Sequence, residues 1–575
     1  MGMGRGETAI SAPRPLAAAT VAALRAVANR FSSADDARKL ALLRAAADAA
    51  LGDPEVLLAY HDVLLFLLAY PGTAPMRSLA ARELARVAAA ARDIEDHGPS
   101  RARARLRGSG IAWSAITISY SYPIARWLVS RFPGCADVDS FGERGALLAQ
   151  WLRHALPPAE FELVEVGDDT PEALLEEGTA GWRGSRLAWL VAQFERLPCD
   201  PALRESLYDN LDLFLTLHPR DAPTSRTFAR GLPAATFYHR RSLLREVDAD
   251  RLIATPLPPP WRLGRGACQH LVDAARSVLA MLGRETDPIT HADIARTRYY
   301  DLGRGVAIAL YSALPARRDA LDSHIGYVLF KNAVPIGYGG GWPFLGTCKI
   351  GINIFAPFRG GESAFLMASV LRTYAQLFAV ERFVVEPYQF GAGNREGLES
   401  GAFWFYFRLG FRPVEPELRA LALDEFERMR RKDGYRTSRS VLRRFTRSDL
   451  ECPVVPGAAG ACDPAALSHA ATTWIGARFH GRRDRAEVAA LRGVIEALGL
   501  KNARGWNDDQ RYALRALAPV LAQIADLHVW PARDKRRLIA LIRAKGGDEY
   551  RYFALMARFS RLRDGLNAVA ENAGA

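Results

Sequence analysis

The spacing of apolar residues predicts a bundle of helices over residues 15–108. Ala-rich segments such as DDARKLALLRAAADAAL and PEVLLAYHDVLLFLLAY repeat apolar side chains at helical intervals. The breaks between such segments carry helix start and stop signals, of which Asp53-Pro54 and Pro71-Gly72 are the clearest. Residues 1–14 are small, Gly-containing and aperiodic, and we expect a flexible tail there without the apolar core of a signal peptide.

Residues 109–295 have a mixed pattern that predicts more helices than strands. GIAWSAITISYSY is rich in β-branched and aromatic residues and predicts a strand, and residues 162–166 predict another. PIARWLVSRF and PALRESLYDNLDLFLTL predict helices. The Pro-rich stretch 254–264 indicates a domain boundary or a wrapping connection.

Residues 296–415 predict an antiparallel meander followed by a strand–helix–strand unit. RGVAIALYSAL, SHIGYVLFKN, PIGYGGGWPF and KIGINIFA are apolar runs joined by short connections. After KIGINIFA come a glycine turn, a periodic helical segment and the apolar run ERFVVEPYQF, which requires a parallel, right-handed crossover. A polar loop, GAGNREGLESG, then leads into the short aromatic helix AFWFYFRLGF.

Over residues 416–575 the apolar residues again recur at helical intervals. The whole pattern therefore predicts an α+β protein with a mixed sheet and helices, flanked by N-terminal and C-terminal all-helical regions. The chain has 575 residues, of which 49% are hydrophobic, so we expect several domains with real cores.

Charge and cysteine content narrow the classes of partner. The net charge is +13, but the arginines are dispersed and do not form the stripe typical of nucleic-acid binding, so we do not expect a nucleic-acid partner. A basic cluster over 428–447 is either an exposed helix face or a charged rim near an anionic ligand. The six cysteines form no CxxC pair, and we expect no metal site.

Membrane insertion is not expected either. The most apolar helical stretch, residues 56–70, is too short to span a bilayer and carries His61 and Asp62. We therefore expect a cytoplasmic protein without a membrane partner.

The glycine turn PFRGGESA has two interpretations. A strand ends, Gly360 and Gly361 follow, and a helix begins, so backbone N–H groups at a positive helix end could bind an anion, helped by Arg359. The alternative is a tight turn that needs glycine only for its backbone angles. The turn is neither a Walker loop nor GxGxxG.

The order of elements, the turn at 359–364 and the block AFWFYFRLGF at 402–411 together resemble the GNAT superfamily of N-acyltransferases. The resemblance covers about residues 296–415. It implies a GNAT-like fold, acetyl-CoA or another acyl-CoA as co-substrate, and no metal. One position departs from the family's turn, because Glu362 stands where the motif has its central glycine. A carboxylate there would repel a pyrophosphate.

The resemblance also implies roles for particular residues. The candidate CoA-binding residues are Asn353, Ile354, Phe355, Arg359, Gly360, Gly361, Ser363 and Ala364. Tyr406 matches the tyrosine that protonates the departing thiolate, or else it is one aromatic core residue among several.

The resemblance identifies the general base and the acceptor pocket less directly. Glu386 ends a strand and is either the general base that takes the amine's proton or a strand-end residue in an ion pair. Trp342 and Tyr388 either line an acceptor pocket or belong to the core, and Asn394 is a candidate for orienting the substrate.

Three functional hypotheses remain open on the sequence. The first is an acyl-CoA-dependent N-acyltransferase, with acetyl transfer expected, acting on a small-molecule or protein amine. The second is a catalytically inactive GNAT-like scaffold whose helical regions bind a protein partner, which Glu362 and the missing base favour. The third is an aminoacyl-tRNA-dependent transferase, with which the charge of +13 agrees loosely.

Overall fold

The computed structural model describes residues 14–160, 170–220, 224–458, 462–500, 503 and 505–574. The predicted strand at 162–166 and all but the last residue of the predicted tail lie outside these residues. The helices are α1 (Ala18–Ala28), α2 (Ser33–Ala47), α3 (Pro54–Ala69), α4 (Ala74–His97), α5 (Ser100–Leu106), α6 (Tyr122–Arg131), α7 (Leu147–Ala155), α8 (Pro171–Gly178), α9 (Arg186–Arg196), α10 (Pro201–Asp209), α11 (Ala249–Ala254), α12 (Arg265–Ala280), α13 (Asp287–Thr290), α14 (Ser363–Phe378), α15 (Arg395–Ser400), α16 (Ala402–Arg408), α17 (Pro416–Arg431), α18 (Arg439–Phe445), α19 (Pro464–Phe479), α20 (Arg483–Ala497), α21 (Asp508–Leu521), α22 (Ala532–Lys545), α23 (Glu549–Ala557) and α24 (Ser560–Gly574).

The strands form two sheets. They are β1 (Ile116–Ile118), β2 (Ala136–Phe141), β3 (Leu213–Leu217), β4 (Arg298–Gly303), β5 (Val306–Tyr311), β6 (Ile325–Lys331), β7 (Val334–Phe344), β8 (Thr347–Ile354), β9 (Arg382–Val385), β10 (Arg412–Pro413) and β11 (Leu450–Pro453). The first three pair in the order β1-β3-β2, and the other eight pair in the order β10-β11-β9-β8-β7-β6-β5-β4. The predicted α+β class is confirmed.

Helices α1 to α4 occupy the segments where the apolar spacing predicts them. Their starts are capped by side chains: Ser32 accepts from the Asp35 amide, Asp53 accepts from two amides of α3, and Thr73 accepts from the Met76 amide. Such caps satisfy amides that have no partner inside the helix.

The three-stranded sheet corrects one predicted element. The helix expected to continue through LDLFLTL ends at Asp209, and Leu213–Leu217 forms strand β3. Its leucines 213, 215 and 217 are buried and the residues between them are more exposed, which is the alternation of a half-buried strand. This sheet and the helices around it have a hydrophobic core of their own.

The eight-stranded sheet contains the predicted meander and crossover. Strands β4 to β8 pair antiparallel in sequence order, and β4 is an addition that the sequence did not predict. Helix α14 connects β8 to β9, which pair in parallel. The sheet continues past residue 415, because β11 inserts between β9 and β10.

Strand β8 pairs with its two neighbours over different lengths. It pairs with β7 along its whole length, from Thr347 to Ile354. It pairs with β9 only at Thr347, Cys348 and Lys349. Strand β9 ends at Val385, so residues 350–354 of β8 have no partner in β9, and this opening in the sheet positions the candidate site.

Helices of both flanking regions share one hydrophobic core with this sheet. At the C-terminal side, the buried Lys545 ammonium contacts the Glu549 carboxylate at 3.1 Å, and Arg318, which follows β5, contacts the same carboxylate at 3.2 Å. Among the helices of the described residues, none combines the length and the hydropathy that crossing a bilayer requires.

Candidate functional site

Two adjoining cavities form one cleft at the opening between β8 and the chain that follows β9. Their volumes are about 860 and about 670 Å³, and both are lined by Arg359, Ser363, Ser400 and Phe405. We call the larger one the turn cavity, because the glycine turn forms part of its wall. We call the other the strand cavity, because residues 352–354 of β8 line it.

The glycine turn presents the start of α14 to the turn cavity. Gly360, Gly361, Ser363 and Ala364 all line this cavity. No side chain caps α14, unlike α2, α3 and α4, so its first amides are not satisfied by a cap. An uncapped helix start with a positive dipole favours an anionic ligand.

Arginines surround this helix start. Arg245, Arg359, Arg408 and Arg412 line the turn cavity, together with a single carboxylate, Glu246. The Arg412 guanidinium lies 3.9 Å from the centre of the Phe407 ring and donates to the Phe407 and Phe411 carbonyls. Arg245 and Arg408 form no ion pair within the described part of the chain. The cavity is therefore positively charged where the helix dipole is positive.

Glu362 does not point into the cleft. Its side chain is fully buried and contacts the Lys331 ammonium at 2.9 Å, the Arg304 guanidinium at 2.6 Å and the Leu244 amide at 3.1 Å. Burial alone would raise the pKa of the Glu362 carboxyl, but the two cations outweigh it and lower this pKa below its usual value. The expected repulsion between Glu362 and a phosphate in the turn is therefore not supported.

At the opening, peptide groups on one side of β8 have no neighbouring strand to pair with. The Phe355 amide donates to Ile336 on β7 at 3.0 Å. Because residues of a strand alternate in the direction of their peptide groups, those of Ile352 and Ile354 point toward the opening. Of the three β8 residues predicted to bind CoA, Asn353 and Ile354 line the strand cavity, whereas Phe355 is buried against Tyr338 and does not.

Tyr406 lies in the wall of the strand cavity. Its side chain is 2% exposed. Burial raises the pKa of Tyr406 well above its usual value, and a hydrogen bond with the Ile352 backbone opposes this only in part. The phenol therefore stays protonated at neutral pH and has an O–H to donate.

Glu386 and Trp342 are not among the residues that line the cleft. The Glu386 carboxylate lies 3.0 Å from the Lys349 ammonium, so it is a strand-end residue in an ion pair. Trp342 stacks on His324, with 4.0 Å between the ring centres.

Tyr388 and Asn394 do line the strand cavity. Tyr388 is 61% exposed. The Asn394 side chain accepts from the Gly397 amide at 3.0 Å and donates to the Tyr388 carbonyl at 3.0 Å, so it serves as the N-cap of α15. The cap also explains why the predicted polar loop contains a helix.

One ion pair spans the junction of the two cavities. Arg359 of the turn contacts Glu396 of α15, and both side chains are more than half exposed. Arg359 also donates to the Ile354 carbonyl at 3.3 Å. An anion bound in the turn would compete with Glu396 for this guanidinium.

Several lining residues were not predicted from the sequence. They are Arg245, Arg284, Tyr338, Ser400, Phe405, Arg408 and Arg412. Arg408 lies inside the aromatic block, so its position there was a usable signal. Arg245 and Arg284 come from segments before the predicted domain, and nothing in their local sequence marks them.

Comparisons with protein families, with curated proteins and with solved structures found no match for this chain. Within the described residues, no group of three or more His, Cys, Asp or Glu side chains is arranged to hold a metal ion. The function must therefore be inferred from the geometry of the cleft.

Proposed function

We propose that this protein is a GNAT-like N-acyltransferase that transfers an acyl group, acetyl in the simplest case, from CoA to an amine. One observation carries the proposal. A continuous cleft connects the uncapped, arginine-lined start of α14 to the protonated Tyr406, along an edge of β8 that has no strand partner.

Each part of acyl-CoA has a complementary wall in this cleft. The pyrophosphate would lie at the Ser363 and Ala364 amides with Arg359, and Arg245 and Arg408 would add charge nearby. The amides of the pantetheine arm would pair with the Ile352 carbonyl and the Ile354 amide, because the Ile352 amide is bonded to Tyr406 and the Ile354 carbonyl to Arg359. This arrangement brings the thioester to Tyr406.

The reaction then needs one nucleophilic step with proton transfers. The amine nitrogen attacks the thioester carbonyl carbon, the C–N bond forms and the C–S bond breaks. Tyr406 donates its proton to the departing sulfur, and solvent restores it. The one carboxylate among the described residues lining the strand cavity is Glu396, which is paired with Arg359. We therefore assign the amine's proton to water in the cleft.

The position of Glu362 weakens the scaffold hypothesis. That hypothesis drew support from a carboxylate placed where a pyrophosphate must bind. The side chain instead lies inside the protein, neutralised by Lys331 and Arg304, and leaves the turn open to an anion.

Isothermal titration of the full chain with acetyl-CoA and with CoA tests the proposal. We expect one site, with affinity reduced in Arg245→Gln and unchanged in Arg296→Gln, an exposed arginine outside the cleft. Absence of binding by the wild-type protein would overturn the proposal. Salt-dependent binding of tRNA without binding of acetyl-CoA would instead favour an aminoacyl-tRNA donor.

A further inference from the structure

The two faces of the sheet can be told apart at the glycine run of β7. A Cβ atom on Gly341 would lie 2.8 Å from Tyr374 of α14, and one on Gly339 would lie 2.4 Å from the Tyr327 hydroxyl. A Cβ atom on Gly340 would meet His324. Side chains alternate along a strand, so Tyr338 lies on the same face as Gly340, opposite α14.

The cleft reaches both faces. The turn and α14 lie on one face, and Tyr327 packs on that same face, where burial first and the neighbouring Tyr406 second raise the pKa of its phenol. Tyr338 lines the strand cavity from the opposite face. A donor that enters along α14 would therefore meet an acceptor that enters from the Tyr338 side.

Arg284 is fixed on the acceptor side of the cleft. Its guanidinium donates to the Tyr338 hydroxyl at 2.8 Å and lies 5.9 Å from the centre of that ring. Tyr338 is itself held by stacking on Phe355, with 5.8 Å between ring centres. Arg284 is exposed, and its hydrogen bond to the buried Tyr338 orients the guanidinium.

This guanidinium has no carboxylate partner in the described residues. The adjacent Glu285 accepts from the Ser121 amide at 2.9 Å and from the Thr290 hydroxyl at 3.3 Å, so it is directed elsewhere. Glu396 is already paired with Arg359. The strand cavity therefore has an excess positive charge at its acceptor end.

We infer that the acceptor is an amine that also carries a carboxylate, of the free amino acid class, and that Arg284 binds this carboxylate. A guanidinium fits a carboxylate through two parallel hydrogen bonds, and a fixed one loses little freedom on binding. An acceptor with a second positive charge, such as a polyamine, would be repelled. The inference rests on the proposed acyltransferase function.

The test is an acetyl-transfer assay that follows release of the CoA thiol with the full chain. The panel contains the standard amino acids, their carboxamides and their decarboxylated amines. We expect the amino acids to be preferred over both matched series. Arg284→Gln should raise KM for amino acids by roughly 10- to 100-fold, with kcat nearly unchanged, because one charged hydrogen-bonding contact is lost.

Two further variants separate a binding role from a structural one. Arg284→Lys should restore part of the affinity, and Tyr338→Phe should raise KM less than Arg284→Gln, because it removes only the hydroxyl that positions the guanidinium. Arg296→Gln is the control for a lost exposed charge. Titration with acetyl-CoA should give the wild-type affinity for all of them, which also shows that the variants are folded.

These outcomes distinguish a failure of the inferred acceptor class from a failure of the proposed acyltransferase function. Equal use of amino acids and their carboxamides, or an unchanged preference in Arg284→Gln, would overturn the inference and leave acyl transfer standing. Binding of acetyl-CoA without acetylation of any amino acid would also overturn it. If acetyl-CoA does not bind at all, the proposed function falls and the inference falls with it.

Discussion

At the scale of single residues, the proposed function depends on Tyr406, which lines the cleft, and on Glu362, which points away from it. Tyr406 is buried yet lines the strand cavity, and its raised pKa keeps the phenol protonated. Glu362 has a sequence position inside the glycine turn but a side chain directed away from it. Neither orientation is visible in the sequence, because both depend on partners far along the chain.

Replacing Tyr406 with Phe removes the proton donor and keeps the aromatic packing. We expect turnover to fall by about 100-fold or more, as for other lost general acids, while the affinity for CoA is nearly unchanged. Steady-state kinetics and calorimetry measure the two quantities. Tyr512→Phe, at an exposed tyrosine outside the cleft, is the control, and full activity in Tyr406→Phe would rule out the proposed acid.

Replacing Glu362 with Gln leaves the buried Lys331 ammonium and the Arg304 guanidinium without their counter-charge. We expect the free energy of unfolding to decrease by about 3–5 kcal/mol, as when one partner of a buried ion pair is removed. Denaturant unfolding measures this change. Glu427→Gln, which loses only exposed ion pairs with Arg430 and Arg431, should unfold like the wild type.

The interaction of Glu362 with Lys331 and Arg304 should make the free energy of unfolding depend on pH. The folded-state pKa of Glu362 is below its ordinary 4.5, so its stabilising effect is present above that value and is lost as pH falls through the folded-state pKa. The stability difference between wild type and Glu362→Gln should therefore shrink as the pH falls from about 7 to about 3. A difference that stays constant over this range would contradict the assignment.

At the scale of elements, the turn before α14 uses its two glycines differently. A Cβ atom on Gly361 would lie 2.7 Å from the Tyr70 hydroxyl and 2.9 Å from the Phe358 carbonyl oxygen. A Cβ atom on Gly360 would have only Asn29 nearby, at 3.7 Å. Gly361 is thus needed for packing, whereas Gly360 has room for a methyl group.

The variants Gly361→Ala and Gly360→Ala should therefore differ in their effect on stability. Gly361→Ala is expected to lower stability by about 1–3 kcal/mol, the usual range for overpacking. Gly360→Ala should keep the wild-type stability, because its methyl group would meet only Asn29, at 3.7 Å. Thermal unfolding and calorimetry on both variants test this, and equal losses of stability would show that the turn is built differently.

The sequence predicted elements well where the pattern is local. The meander strands β5 to β8 and helix α14 follow from runs and periodicities within a few residues. Strand β3 was predicted as helix because LDLFLTL follows a helical segment directly, and its alternation covers only five residues. Helix α15 depends on Asn394 as its N-cap. Asn394 is a helix-start signal in the sequence, but from the sequence alone we interpret it as a substrate-orienting residue.

At the scale of the whole molecule, the cleft is assembled from distant segments. Arg245 comes from the chain before α11, Arg284 follows α12, and β11 completes the sheet from beyond residue 415. The resemblance to a known family covers only 296–415 and so gives the turn and Tyr406 but not these arginines. Their contribution follows from tertiary packing, which no single-sequence pattern contains.

A fragment spanning 296–415 should therefore not fold alone. It lacks β11 between β9 and β10, and it lacks Tyr70 and the helices that share its core. We expect no cooperative thermal unfolding of this fragment by circular dichroism, against a cooperative transition for the full chain. A cooperative transition in the fragment would show that the flanking helices are dispensable for folding.

Hydrogen–deuterium exchange of the full chain with and without CoA tests the central claim most directly, because it locates the ligand on the chain. The account predicts slower exchange in two segments, 350–354 of β8 and 360–366 at the start of α14, when CoA is bound. The three-stranded sheet, with β3 at Leu213–Leu217, serves as the internal reference and should not change. Binding of CoA that leaves both segments unchanged would contradict the proposed cleft.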